Sequence, residues 1–189
     1  GYNIESAGDI NEDGYDDFFV MSLGSASNYN GKVELFLGGP NGVRSDTQIF
    51  AEGSPGEHVG INILTGMDLD GDGMGDLMYS SRDLSGGDSF IPVLNIKTER
   101  DWEFIDFEFD QTISNLDMGT SGHGSPSILV HLGDNDVHLL EFTMDGTPSG
   151  RWTDTNFGPA MSVAIDVTSA GKPLILQHSN YQIDLISPS

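Results

Sequence analysis

Two nine-residue stretches carry oxygen-bearing side chains at a spacing that can hold a hard metal ion. They are D-I-N-E-D-G-Y-D-D, from Asp9 to Asp17, and D-L-D-G-D-G-M-G-D, from Asp68 to Asp76. Both read D-x-[DN]-x-D-G-x-x-D. Calcium takes roughly six to eight oxygens at about 2.3–2.6 Å. Alternate residues of a tight loop can supply them, and glycine permits the reversal that aims them inward. The side-chain ligands expected are Asp9, Asn11, Asp13 and Asp17, then Asp68, Asp70, Asp72 and Asp76. Position 7, Tyr15 or Met74, would offer its backbone carbonyl, which leaves its side chain free to vary. Asp and Gly also favour plain turns, but two such loops in matching contexts favour two calcium sites.

An EF-hand opens in the same way but needs a bidentate Glu at position 12 and a helix on each side. Position 12 here is Val20 or Tyr79, and the segments that follow, D-F-F-V-M-S and D-L-M-Y-S-S, are short and show no helical periodicity. A dockerin-type pair fails for the same reason. The loops are therefore expected to join strands.

The loops begin 59 residues apart, and Gly1, Asn3 and Ile4 match Gly60, Asn62 and Ile63 at the same offset. Two degraded copies follow at 49-residue intervals, from Asp117 and Asp166. They keep the glycine at position 6 (Gly122, Gly171), but positions 5 and 9 become Ser121 and Ser125, or Ala170 and Leu174. These two turns are expected to keep the backbone shape and to bind no calcium.

Strands are expected in four groups: Tyr2–Ala7, Asp17–Leu23, Lys32–Leu37 and Thr47–Ala51; Ile61–Gly66, Asp76–Ser81, Phe90–Ile96 and Trp102–Phe109; Thr112–Leu116, Ser127–Leu132, Val137–Thr143 and Trp152–Phe157; Met161–Asp166, Leu174–His178 and Tyr181–Ile186. W-E-F-I-D-F-E-F shows the period-2 alternation of a half-buried strand, and L-G-G-P-N-G and M-D-G-T-P-S-G are turn chemistry. Repeats of a few short strands are the sequence form of β-propeller blades. The fold expected is all-β, a single β-propeller domain over residues 1–189 with units at about 1–59, 60–110, 111–159 and 160–189. It would be a closed four-bladed ring or part of a larger propeller. Exposed blade edges would then offer a route to self-association.

G-Y-N-I-E-S-A-G-D-I-N-E-D-G-Y-D-D-F-F-V, followed by G-K-V-E-L-F-L-G-G-P-N-G-V, resembles an FG-GAP repeat of the integrin alpha-subunit type. The likeness is strong over about 1–45, good over 60–81 and faint over 112–186. It implies a β-propeller with calcium loops in the hairpins of one face, and a role in adhesion. Two departures stand out. The phenylalanine of the family's F-G is outside the chain in the first repeat and is Val59 in the second. Propellers of that family also have seven blades, whereas this chain has material for about four.

A net charge of −23 with seven Lys and Arg argues against a nucleic-acid or anionic-membrane partner, because phosphate binding needs clustered basic side chains. No run of about 18 apolar residues exists to span a membrane. The absence of cysteine rules out disulfides. Open calcium loops suit the roughly millimolar calcium outside cells, so an extracellular or cell-surface location is expected.

Catalytic groups are sparse. His58, His123, His131, His138 and His178 lack metal-ligand spacing. His131 and His138 sit in apolar runs, as packed strand residues do. G-H-G-S-P, with His123 and Ser125, lacks the G-x-S-x-G pattern. Trp102 and Trp152 suit packing between blades better than sugar stacking. The function expected is a non-catalytic, calcium-binding FG-GAP-type module for extracellular protein or glycan binding. The alternative is a carbohydrate-active enzyme domain, or an enzyme-associated propeller, with calcium near the active face.

Overall fold

The computed structural model of the chain describes residues 3–24, 29–69, 71, 73, 75–83, 91–97, 104–120, 125–133, 136–143, 145–154, 162–167, 173–179 and 182–186. Among these the chain is all-β. Sheet 1 contains β1 (Asn3–Gly8), β2 (Asp17–Ser22), β3 (Lys32–Phe36) and β4 (Thr47–Glu52). Sheet 2 contains β5 (Ile63–Met67), β6 (Asp76–Asp83), β7 (Ile91–Lys97) and β8 (Phe104–Glu108). Sheet 3 contains β9 (Ile113–Thr120), β10 (Pro126–Leu132), β11 (Val137–Phe142) and β12 (Pro148–Asp154). Sheet 4 contains β13 (Ser162–Val167), β14 (Pro173–Ser179) and β15 (Gln182–Ile186). In each sheet the strands lie side by side in chain order, with antiparallel neighbours, and no sheet closes on itself. The chain divides into two compact units, Gly1–Gly66 with Gly73–Asp110, and Met67–Asp72 with Gln111–Ser189.

In the first unit, alternation along β2 and β3 sorts side chains by face. Phe19, Met21, Val33 and Leu35 are buried, while Phe18, Val20, Glu34 and Phe36 are half-buried on the other side. Phe19, Val33 and Leu35 form one apolar cluster with Val59 and with Ile63, Leu77 and Tyr79 of sheet 2. Phe50 meets Phe19 edge-on, with ring centroids 5.1 Å apart. Burying one such large side chain contributes about 1.5–3 kcal/mol. The first strands of the two sheets are also joined, because the Thr65 hydroxyl donates to the Ser6 carbonyl.

Residues 53–60 cross from sheet 1 to sheet 2 over the β2–β3 connection. His58 N–H donates to Tyr29 O (3.1 Å), Val59 N–H to Asn30 O (3.0 Å), and Gly53 N–H to Gly31 O (3.1 Å). Gly31 has φ +75° and lies against Val59: a Cβ there would sit 2.1 Å from the Val59 carbonyl oxygen. Val59 itself is buried, so the residue standing where the family has phenylalanine still fills the core.

In the second unit, β10 is buried at every position and β11 at all but Glu141. I-L-V-H-L and V-H-L-L are accordingly continuous apolar runs, as strands covered on both faces require. The expectation for the degraded turns needs correction. β9 runs through Asp117, which pairs with Leu129, and Thr120 pairs with Pro126, leaving only 121–125 as the connection. Asp166 likewise pairs with Leu174 and Val167 with Pro173, leaving 168–172. The equivalent connection in sheet 1 is 9–16. Where the acidic ligands are lost, the strand ladders extend over Asp117–Thr120 and over Asp166 and Val167, residues that would have started the loop. Ser121, Gly122, His123, Ala170 and Gly171 lie outside the described residues. β12 also starts earlier than expected: Pro148, Ser149 and Gly150 join the strand because the turn closes within Thr143–Thr147, where Thr143 N–H donates to Thr147 O (2.8 Å).

Candidate metal centre

The first loop joins β1 to β2, and residues 11–16 are exposed. Its oxygens turn inward on the loop's own backbone. Asp9 accepts from Asp13 N–H (2.9 Å) and from Gly14 N–H (2.7 Å) through its two carboxylate oxygens. Asn11 Oδ1 accepts from Asp13 N–H (3.0 Å), and Asp13 Oδ1 from Tyr15 N–H (3.1 Å). Two left-handed residues make this curl possible: Glu12 (φ 58°) at position 4 and Gly14 (φ 90°) at position 6. For a non-glycine residue this conformation costs roughly 1–2 kcal/mol, which the surrounding hydrogen bonds hold in place.

Asp17 closes the loop differently. It is the first residue of β2 and only 1% exposed. Its Oδ2 accepts from Ile10 N–H (3.0 Å) and its Oδ1 from Gly38 N–H (2.7 Å). One buried carboxylate thus pins the start of the loop and the end of β3 together. Gly38 must be glycine, since a Cβ would lie 2.3 Å from the Asp16 carbonyl oxygen.

Asp9, Asn11, Asp13 and Asp17 therefore share one short loop, with an all-oxygen donor set and three formal negative charges. A carboxylate has about four lone-pair positions, so the N–H contacts leave acceptor capacity for a cation. Among the described residues no three acidic or histidine side chains gather into a metal-holding group, so calcium bound by this set and the Tyr15 carbonyl would have to draw these oxygens together; the ion would supply charge neutralisation and a cross-link between strand ends. Spacing alone did not reveal one neighbour. Arg44, in the β3–β4 connection, reaches Asp13 Oδ2 (3.4 Å) while holding Asp46 through Nε (3.0 Å) and Nη2 (2.7 Å). Hydrogen bonding to Arg44 holds the Asp46 carboxyl below the usual carboxylate range.

The second loop repeats the two diagnostic backbone positions. Gly71 (φ 77°) stands at position 4 and Gly73 (φ 93°) at position 6. Asp68 Oδ1 accepts from Gly71 N–H (2.6 Å). Asp76, the counterpart of Asp17, is also 1% exposed. Asp70, Asp72 and Met74 lie outside the described residues.

The remaining candidates do not form a catalytic group among the described residues. His131 is 3% exposed, and burial lowers its pKa. Ser114 Oγ donates to His131 O (3.0 Å) and stands 2.8 Å from His131 Nδ1. With its one proton so used, the hydroxyl accepts from Nδ1–H, which leaves Nε2 as a bare buried acceptor with no partner. His131 is thus neutral in the fold. Its folded pKa lies below the unfolded value of about 6.5, so below that pH the unfolded chain takes up the proton first and stability falls. Melting temperature should decline as pH drops from about 6.5 toward 5, and His131→Leu should flatten that decline; an unchanged slope would remove the assignment. His138 Nδ1 stands 2.9 Å from Thr153 Oγ1. His123 and Trp102 lie outside the described residues, as does the side chain of Trp152.

No family model matches the chain. It is similar to the curated protein "Integrin alpha pat-2" of Caenorhabditis briggsae, at 34% identity over 82 residues, which is 41% of this chain and 7% of that protein. It is similar to "Integrin alpha-PS5" of Drosophila melanogaster, at 36% identity over 84 residues, 41% of this chain and 8% of that protein. The chain thus spans less than a tenth of the length of these relatives. The chain is thus similar, over 41% of its length, to proteins of the integrin alpha type, in keeping with the FG-GAP-like pattern of its two loops.

Proposed function

We propose that this chain is a calcium-stabilised, non-catalytic FG-GAP β-propeller module that binds a protein or glycan outside the cell. The observation that carries the calcium reading is the shared build of the two loops. Each has left-handed residues at positions 4 and 6, and each ends on a nearly inaccessible Asp that opens a strand. A plain acidic turn has no reason to bury a carboxylate at position 9 twice. Asp9, Asn11, Asp13, Asp17 and the Tyr15 carbonyl would hold one ion; Asp68, Asp70, Asp72, Asp76 and the Met74 carbonyl would hold the other. The propeller reading is supported by consecutive antiparallel sheets in chain order, with β1 tied to β5 through Ser6 and Thr65. One domain over 1–189, with units at about 1–59, 60–110, 111–159 and 160–189, follows from that reading.

The adhesion role and the extracellular site rest on the integrin alpha likeness and on the calcium requirement. The acidity speaks for a protein or glycan ligand over nucleic acid. A shallow hollow of about 230 Å³ lies beside the first loop, lined by Tyr15, Asp16, Phe18, Gly38, Gly39, Gly42 and Val43. Calcium at about 100 times its dissociation constant adds about 2.7 kcal/mol per site. Two sites should therefore raise the melting temperature by roughly 10–20 °C. Chelation should reverse the gain, and magnesium should substitute poorly because it demands tight octahedral geometry. Melting indifferent to chelator in demetallated protein would sink the proposal.

A further inference from the structure

Three of the first loop's expected ligands, Asp9, Asn11 and Asp13, are held mainly by the loop's own backbone. Asp9 and Asn11 accept from the N–H groups of Asp13 and Gly14, and Asp13 Oδ1 accepts from Tyr15 N–H. Asp13 Oδ2 is the exception. It accepts from Arg44 Nη1 at 3.4 Å, and this cation arrives from the β3–β4 connection, 31 residues further along the chain.

The surroundings of Arg44 aim it at that oxygen. Its backbone N–H donates to Leu37 O (2.8 Å), and Gly42 N–H closes the turn on Gly39 O (3.0 Å). Its stem lies against Gly39, where a Cβ would sit 3.3 Å from Arg44 Cγ. Nε and Nη2 hold the two oxygens of Asp46 at 3.0 and 2.7 Å, which leaves Nη1 for Asp13. A guanidinium is a flat fork with five donors, so it can serve both carboxylates at once. The two grips are unequal. The hold on Asp46 is bidentate and short, whereas 3.4 Å exceeds an ordinary N–H···O distance, so the hold on Asp13 is chiefly charge attraction.

Resting on the calcium reading of this loop, we propose that Arg44 is the loop's own counter-cation, competing with calcium for Asp13 and weakening calcium binding at the first loop. Both cations need the same carboxylate, and a guanidinium beside the loop repels a doubly charged ion. When Asp13 goes to the metal, Arg44 keeps its bidentate hold on Asp46, so the exchange gives up only the weaker contact. The side chains of Arg44 and Asp13 are 45% and 28% exposed, and an ion pair open to water to that degree is weak. Arg44 therefore tunes the affinity and does not block the site.

Calorimetric titration of calcium into demetallated protein tests the proposal, with each loop read in the absence of the other. In an Asp72→Ala background only the first loop is left to bind, and there Arg44→Gln should tighten calcium at least about threefold. In an Asp13→Ala background the second loop is read, and Arg44→Gln should leave its affinity unchanged. Lys32→Gln removes the same charge from the opposite end of β3, where Lys32 pairs with Glu34 at 2.8 Å, and should also leave the first loop unchanged. Far-ultraviolet circular dichroism should report intact folding in all of these chains. A smaller tightening by Arg44→Gln, or a weakening, would overturn the proposal while the calcium reading stood. Equal tightening at the second loop, or by Lys32→Gln, would overturn it too, since net charge and not the contact would then govern. No calcium binding in any chain would sink the calcium reading and this proposal with it.

Discussion

Asp17→Ala should lower stability by about 3–5 kcal/mol even with no metal present, whereas Asp13→Ala should cost less than about 1 kcal/mol under the same conditions. The contrast follows from burial. Asp17 is 1% exposed and is the acceptor for Ile10 N–H and Gly38 N–H. Removing it strands two donors that water cannot easily reach, at about 1–3 kcal/mol each. Asp13 is exposed and makes local contacts with Tyr15 N–H and Arg44. With calcium present both losses should grow by a similar amount, because each variant then also loses a ligand of the same ion, and the gap between them should persist. Denaturant melts of both variants, with chelator and with calcium, check this. Equal losses in chelator would mean that Asp17 has no structural role beyond the metal.

Gly31→Ala should be as damaging, costing about 3 kcal/mol or more, and no cation should rescue it. A Cβ there meets the backbone of Val59, 2.1 Å from its oxygen and 2.4 Å from its nitrogen, and backbone cannot rotate away. The left-handed φ of +75° adds its own penalty. The crossing of 53–60 over the β2–β3 connection would have to separate, exposing Val59 and the cluster beneath it. Gly42→Ala is the control: it has a similar φ of +99° but nothing within 4 Å of its Cβ, so it should cost only the conformational part. If both variants melt alike, strain and not the close approach governs Gly31.

Much of this was legible in the sequence because the signals are local. Alternation in F-F-V-M-S and K-V-E-L-F marks the strands of sheet 1, and D-x-N-x-D-G fixes where its first loop turns. Local signals also misled. Asp117 and Asp166 survive in D-M-G-T-S-G and D-V-T-S-A-G, yet both pair within strands, because a lone Asp with a distant glycine does not outweigh an available ladder. What spacing could not reveal is contact across the chain. Arg44 reaches Asp13 over 31 residues, and Gly38 reaches Asp17 over 21. The burial of Asp17 and Asp76 is likewise a tertiary fact: the motif places a carboxylate at position 9 but does not say that the sheet will close over it.

The central claim is that two loops of this chain each bind one calcium ion and the degraded turns bind none. Titration calorimetry of calcium into demetallated protein tests it most directly. Two ions per chain are expected, falling to one in Asp13→Ala and to one in Asp72→Ala, and staying at two in Ser121→Ala. No heat of binding, or a stoichiometry that neither aspartate substitution changes, would contradict the account.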